Sequence, residues 1–455
     1  MDVSTAISQQ EVMDRAVRHL VNNYSPKGNY VGWLMISSIL MDAWDLNAIA
    51  LVLIFIREDY IAGPLMLGLA AGGVQAGGLI GAVLGGWMTD KVGRRFMFLA
   101  TMVMFIVFGL AQSFVTSIEM LVIIRFILGM PLGCDVATGY TYIMECMPKG
   151  QREVMGGRWM LCFSVGTALA LAFILAFLLL GMPHYLVWRV TLGLGALPAV
   201  IILWLRSNLP ETAMWLVRQG RFREAKQASL QMYNDNLDML PDQDIAVRKP
   251  GLTEFLTDTR KDPIRWRATL YGWISLSGET GEFATFGFYL PVLFVMVGVS
   301  SIIGINVILM FAFMFGAVGA WVVPLITPKI GHRNVGKIGF GGVLISLLVA
   351  AAALYTGHVY ILPFAAATLL WTHYCAASNT MVIPTMVAKP EYRGTAAGFS
   401  YMFSKLTAFL SIFLFPSLFA AIGQANSTLL CAIFPLAGLL AAIFILPEVY
   451  GFEQS

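Results

Sequence analysis

Apolar residues run for twenty or so positions at a time along this chain, separated by shorter polar, charged or Gly/Pro-marked segments. Such runs fall at 31–56, 64–88, 96–114, 118–146, 158–181 and 186–206. A long polar stretch follows, and then six more runs at 267–298, 302–327, 338–357, 359–387, 394–421 and 427–447. A helix crossing a bilayer needs about 20 mostly apolar residues, so each run is read as one crossing. The pattern predicts an all-α polytopic membrane protein with twelve transmembrane helices. They divide into an N-terminal segment 1–30, a six-helix bundle 31–206, a central loop 207–265, a second six-helix bundle 266–447 and a tail 448–455. Within the central loop, Trp215, Leu216, Phe222, Ala225 and Leu230 predict amphipathic helices on the membrane surface that connect the bundles.

Composition agrees with the pattern. Of 455 residues, 58% are hydrophobic and only 12% charged, with a mean hydropathy of +0.75. Soluble domains carry about 25% charged residues, so a set of water-soluble domains is excluded, as are a disordered chain and a disulfide scaffold. The five cysteines (Cys134, Cys146, Cys162, Cys375, Cys431) lie in or beside apolar runs without paired spacing and read as small core residues. No metal, cofactor or nucleic-acid motif is present, nor a nucleophile elbow or phosphate-cradling loop, so an enzyme is not expected. Residues 1–30 are polar and charged, and no cleavable leader is expected.

Lys and Arg set the orientation. With the N-terminus inside, all but four of the 29 basic residues (Arg57, Arg125, Arg189 and Lys405) fall in inside segments. Both termini are therefore expected in the cytoplasm, with the chain integral to a plasma or inner membrane. Its expected partners are the lipid bilayer, protons and a small-molecule substrate, with the protein working as a monomer.

The halves echo each other. Asp90-Lys91-Val92-Gly93-Arg94-Arg95 returns as Pro328-Lys329-Ile330-Gly331-His332-Arg333, and Leu209-Pro210-Glu211 returns as Leu446-Pro447-Glu448. A looser echo links Pro148-Lys149-Gly150-Gln151-Arg152-Glu153 to Lys389-Pro390-Glu391-Tyr392-Arg393-Gly394. All offsets are about 240 residues, as expected for parallel duplicated bundles with a substrate site between them at mid-membrane.

Gly85-Gly86-Trp87-Met88-Thr89-Asp90-Lys91-Val92-Gly93-Arg94-Arg95 resembles the loop 2–3 signature of the major facilitator superfamily. Arg125-x3-Gly129-x3-Gly133, Pro210-Glu211-Thr212 and Pro447-Glu448 resemble its sugar-porter branch. The resemblance implies alternating access. It also implies a gating set on the cytoplasmic side, for which Asp90, Arg94, Arg95, Glu145, Arg152 and Arg125 are the candidates. Asp90 near a helix end is placed to meet a helix N-terminus or an arginine. Pro328 replaces that acid in the second copy and predicts a weak or absent latch there.

Ionisable residues within spans are costly and are functional candidates by default. Asp42 and Asp45 share a face of the first span, and two close carboxylates resist ionising together, which is what a proton carrier needs. Glu279 and Glu282 repeat the spacing in the seventh. Asp45, Asp135, Glu282 and Lys405 are expected at similar depth on four helices, and Arg125 and Glu145 either as functional charges or as a structural pair. Trp44, Asn47, Gln75, Tyr140, Tyr142, Tyr289, His373, Tyr374 and Asn379 are candidates to line the cavity. The glycines between Gly68 and Gly86 predict close helix approach, for packing or for sliding between halves.

Asp42-Ala43-Trp44-Asp45-Leu46, Asp135 with Glu145, Glu282 with Gly287, and Pro384, Arg393 and Lys405 resemble the proton-coupled phosphate symporters and their organic-anion relatives. This implies Asp45 and Asp135, with Asp42, as proton-coupling residues. It implies Glu282 as an acid beside the substrate and Lys405 as its positive partner; Glu279, Trp44, Tyr140 and Asn379 complete the candidate substrate set. Val136, Gly278, Phe286, Met386, an apolar residue near Phe163 and the shifted Asn379 depart from the phosphate-contacting pattern. The expected function is proton-coupled symport of a small anion, an organic acid or phosphate. The alternative is a sugar or polyol symporter or an uncoupled facilitator.

Overall fold

The computed structural model describes residues 3–248, 251–296, 298 and 301–452. Residues 1–2, 249–250 of the central loop, 297 at the end of the seventh run, 299–300 and 453–455 of the tail lie outside the described residues. Among the described residues, ten helices are long and apolar enough to cross a membrane. The first to sixth spans are Gly28–Tyr60, Leu65–Val92, Arg94–Phe114, Ile118–Cys146, Gln151–Leu179 and His184–Arg206. The eighth to tenth are Ile302–Ile330, His332–Thr356 and Val359–Val387.

The last of the ten, Pro390–Phe444, has 55 residues. At 1.5 Å per residue that is about 80 Å of helix, against a hydrocarbon core of about 30 Å. Gly423, with φ 80° and ψ 172°, breaks it into the eleventh and twelfth spans. The seventh span is absent from the ten because Pro263–Glu282 is too polar, carrying Arg265, Arg267, Glu279 and Glu282. It continues through a π-turn, Phe283–Gly287, into Leu290–Met296. Twelve crossings result among the described residues. A π-turn inside a span commonly marks a functional site, and this one directly follows the two glutamates.

The second span packs against the fourth and the eleventh, and the fifth against the eighth. Backbones come into direct contact at these seams. A Cβ on Gly81 would lie 2.0 Å from the Met130 carbonyl oxygen of the fourth span, and one on Gly86 would lie 2.4 Å from the Gly394 carbonyl of the eleventh. The glycine run thus serves packing within the first half and contact with the second, on different helix faces.

The sequence echo has a structural cause. The Glu211 carboxylate accepts the backbone N–H of Arg95 (3.0 Å), where the third span starts. Glu448 accepts those of His332 (3.0 Å) and Arg333 (3.2 Å), where the ninth starts. Each acid satisfies orphan donors and meets the positive end of a helix. Gly93 (φ 117°) and Gly331 (φ 80°) sit at these joints, and a Cβ there would approach the acid's oxygen to 2.3 and 2.2 Å. Burial pushes the Glu211 carboxyl up, against the opposing pull of Arg94 and the backbone N–H groups of Thr212 and Arg95.

The N-terminal segment, read as merely polar, is a helix Val3–Asn22 whose Met13, Ala16, Val17 and Leu20 are buried. With central-loop helices Ala213–Arg218, Phe222–Tyr233 and Leu252–Thr259 it covers the end of the molecule that carries loop 2–3, here called the basic end. Arg218 ties Asp14 (2.7 Å) to Glu391 (3.2 Å) of the loop before the eleventh span. Lys389 of that loop meets Asp258 at 2.5 Å. Its hydrogen bond holds the Asp258 carboxyl below the usual carboxylate range.

Candidate functional site

Two cavities lie along the seam between the halves. A vestibule of about 310 Å³ at the far end is lined by Leu51, Phe55 and Arg57 of the first span, Leu67 of the second, Phe288, Tyr289 and Ile305. A central cavity of about 50 Å³ is lined by Asp42, Gln75 and Trp159 from one half and by Glu279, Thr280, His373, Ser404 and Lys405 from the other. Phe288 borders both. Beside it, the Tyr289 hydroxyl donates to the Ile412 carbonyl at 2.8 Å, so the segment following the π-turn walls the vestibule.

Within the central cavity, the Lys405 ammonium lies 3.1 and 3.3 Å from the two carboxylate oxygens of Asp42. The Tyr401 hydroxyl donates to the same carboxylate at 3.0 Å. Both charges are buried. A buried pair of this kind balances attraction against desolvation, and losing one partner leaves the other uncompensated. Asp42 and Lys405 belong to different halves, so the pair also bridges the two six-helix bundles.

Asp45 faces elsewhere. Its oxygens lie 2.9 and 3.1 Å from the Arg125 guanidinium, and Gln112 donates to it at 3.2 Å. Three residues along a helix turn a side chain by about 60° from its neighbour, which is enough to give the two aspartates separate partners. The expected juxtaposition of Asp42 and Asp45 is therefore corrected. So is the expected Arg125–Glu145 pair: twenty residues along one helix separate them by about 30 Å. Asp135 pairs with Arg206 at 2.7 Å and accepts from Thr101 at 3.1 Å, leaving its other oxygen without a partner. The set Asp45, Asp135, Glu282 and Lys405 does not converge on one point.

On the second-half side, Glu282 contacts the imidazole of His373 through Nδ1. Its other oxygen is buried without a partner. Glu279 accepts from Thr380 at 2.7 Å. His373 and Glu279 reach the cavity wall and Glu282 lies behind them. Three residues of the candidate substrate set lie elsewhere. Trp44 donates to the Thr191 carbonyl (2.8 Å), Tyr140 to that of Gly156 (3.0 Å), and Asn379 accepts from Tyr271 and donates to the His332 carbonyl. Their polar groups join helices and do not line the central cavity. Gln75 does, and its amide nitrogen is buried without a partner.

At the basic end Asp90 joins the two halves. Its carboxylate accepts the backbone N–H groups of Gly394 (3.0 Å) and Thr395 (2.7 Å) and the Thr395 hydroxyl (2.8 Å), all from the other half. Arg94 supports it at 3.1 Å while binding Glu145 at 2.8 and 3.1 Å, and Glu145 accepts from Thr212 at 2.5 Å. Arg95 donates to the Ser207 carbonyl, and the buried Arg152 donates to that of Phe452. At the fifth–eighth seam, where Pro328 stands in place of an acid, Arg158 lies over Trp321 (4.7 Å) and Trp33 (5.6 Å), clamping one half to the other. Sequence reasoning missed this clamp, Arg206 and the role of Thr395. Arg206 and Arg158 were absorbed into the topology count, and a backbone donor such as Gly394 leaves no mark in a sequence.

The chain matches the model of the sugar (and other) transporter family over residues 37–453. It is 26% identical over 416 residues to the inner membrane metabolite transport protein YgcS of Escherichia coli strain K12, covering 90% of this chain and 89% of that protein. To the arabinose-proton symporter of the same strain it is 31% identical over 196 residues, 43% of this chain and 40% of that protein. Its fold is similar to that of the proton:xylose symporter XylE bound to 6-bromo-6-deoxy-D-glucose. That match has a TM-score of 0.75 and 19% identity, covering 92% of this chain and 96% of that one.

Proposed function

The chain belongs to the sugar (and other) transporter family of the major facilitator superfamily, and from that premise we propose that it is a proton-coupled symporter of a small anion. It is an integral membrane transporter and not an enzyme. The observation that carries the proposal is the Asp42–Lys405 contact across the central cavity.

An ionised Asp42 occupies Lys405 and keeps it from an anion. A protonated Asp42 leaves the ammonium uncompensated in a buried site, where an anion restores the balance. Proton and anion then enter as a neutral pair, and the loaded halves are free to rock. The name of the arabinose-proton symporter supports proton coupling. Asp45 with Arg125 and Asp135 with Arg206 act as further proton-path sites in the first half. By the distribution of Lys and Arg, the basic end faces the cytoplasm. The latched basic end and the far-end vestibule then correspond to an outward-facing state, with Asp90 and Arg158 as its gates.

A second reading, a sugar or polyol cargo, is favoured by the Gln75 amide and the Glu279 carboxylate on the cavity wall and by the names of the sugar-carrying relatives. Uptake into proteoliposomes with and without an inward proton gradient tests the coupling. Gradient-driven accumulation that collapses with an ionophore supports symport, and accumulation indifferent to the gradient contradicts it.

A further inference from the structure

The central cavity offers more than a cation. Lys405 supplies one positive charge and Gln75 supplies a buried N–H donor with no partner. Glu279 supplies an acceptor, and Thr280 and Ser404 contribute hydroxyls that bond each other at 2.7 Å. An anionic group on the substrate satisfies Lys405 only. Glu279 on the same wall already accepts from Thr380 and has lone pairs left for a donor on the substrate, while Gln75 needs an acceptor. A hydroxyl group serves both, since it donates one hydrogen and accepts at its lone pairs. The central cavity is small, about 50 Å³, which favours a compact substrate.

We propose that the substrate is a short-chain hydroxy monocarboxylate of about three or four carbons, its carboxylate at Lys405 and its hydroxyl between Gln75 and Glu279. This rests on the proton-coupled anion reading above and narrows its substrate. Three other classes fit less well. Inorganic phosphate near neutrality is in large part a dianion, whose second negative charge Lys405 alone does not balance and which faces the Glu279 carboxylate. An unsubstituted carboxylate of the same length leaves the Gln75 amide unpaired, and an unsatisfied buried group costs the binding it would have gained. A pyranose leaves Lys405 without an anion.

The test is counterflow in proteoliposomes of the full chain, preloaded in turn with lactate, glycerate, propionate, phosphate, glycerol or xylose, with labelled lactate and glycerate as tracers. The expected result is that lactate and glycerate exchange at least about tenfold better than propionate or phosphate. Gln75→Leu should shrink the preference over propionate, and Lys405→Ala should remove exchange of both acids. Propionate or phosphate equal to the hydroxy acids overturns this inference and leaves the anion reading standing. Xylose or glycerol exchanging best overturns both. Absence of exchange with both hydroxy acids overturns the inference, and the wild-type comparison stands even if a variant fails to fold.

Discussion

The Asp42 carboxylate of the first span lies 3.1 Å from the Lys405 ammonium of the eleventh, and the two come from opposite halves of the molecule. A carrier that rocks its halves around a central site must break or loosen every contact that bridges them. This pair is buried, ionisable and on the cavity wall, so in the proposed mechanism its protonation state, the cargo and the rocking motion are bound together. Asp42→Asn is expected to leave Lys405 open at every pH. Anion exchange should persist while accumulation against a gradient is lost. Counterflow and gradient-driven uptake, measured side by side, check this.

Asp45 and Arg125 form the corresponding closed pair within the first half, with Arg125 also donating to the Ala70 carbonyl at 2.6 Å. Arg125→Leu leaves a buried carboxylate uncompensated and should destabilise the protein by about 3–5 kcal/mol. The double variant Asp45→Asn, Arg125→Leu should recover much of that loss while remaining poorly coupled. Thermal unfolding in detergent and proton-driven uptake separate the two effects.

Asp90 accepts three hydrogen bonds from the start of the eleventh span. Charge-assisted bonds of this kind are worth about 1.5–3 kcal/mol each. Asp90→Asn should shift the population toward a state open at the basic end. A cysteine pair placed across the second and eleventh spans, read by spin-label distances, should report a longer separation. An unchanged distance distribution would argue that the latch is only structural.

At the other seam the acid is missing, and Arg158 sits beside the stacked pair Trp33 and Trp321 instead. Trp321→Ala should open the basic end as Asp90→Asn does, and the two changes should add, since the seams are separate and share no partner. The same spin-label measurement decides it.

Gly331 and Glu448 give a stability test. Gly331→Ala places a Cβ in the left-handed region and 2.2 Å from the acid's oxygen. The expected loss is at least about 1 kcal/mol. Adding Glu448→Ala should relieve the clash but not the backbone strain, leaving part of the loss in place.

Much of this fold is legible in the sequence because a bilayer demands long apolar runs, and the scarcity of charge within them marks Asp42, Glu279 and Lys405. The seventh span was legible as a run, but its π-turn was not, since nothing in Phe283–Gly287 announces a change of helical pitch. What stayed hidden was pairing. Whether Asp42 or Asp45 meets Lys405 depends on a rotation of about 60° about the helix axis and on a contact between segments at opposite ends of the chain. Arg125 found a partner on another helix, although Glu145 on its own looked the natural choice. The N-terminal helix was readable in principle from Met13, Ala16, Val17 and Leu20, whose spacing makes one apolar stripe. It was overlooked because the flanking charges dominate that segment.

The most direct test of the account is the pH dependence of anion binding to the purified wild-type protein and to Asp42→Asn, measured by calorimetry with lactate. Glu279 and His373 also face the cavity, and both remain in the variant, so the comparison isolates Asp42. If one proton on Asp42 accompanies each anion, wild-type affinity should weaken by about tenfold per pH unit at the alkaline end of the range. The variant should bind with little change across the same range. An equal pH dependence in both proteins would contradict the claim that protonation of Asp42 hands Lys405 to the substrate.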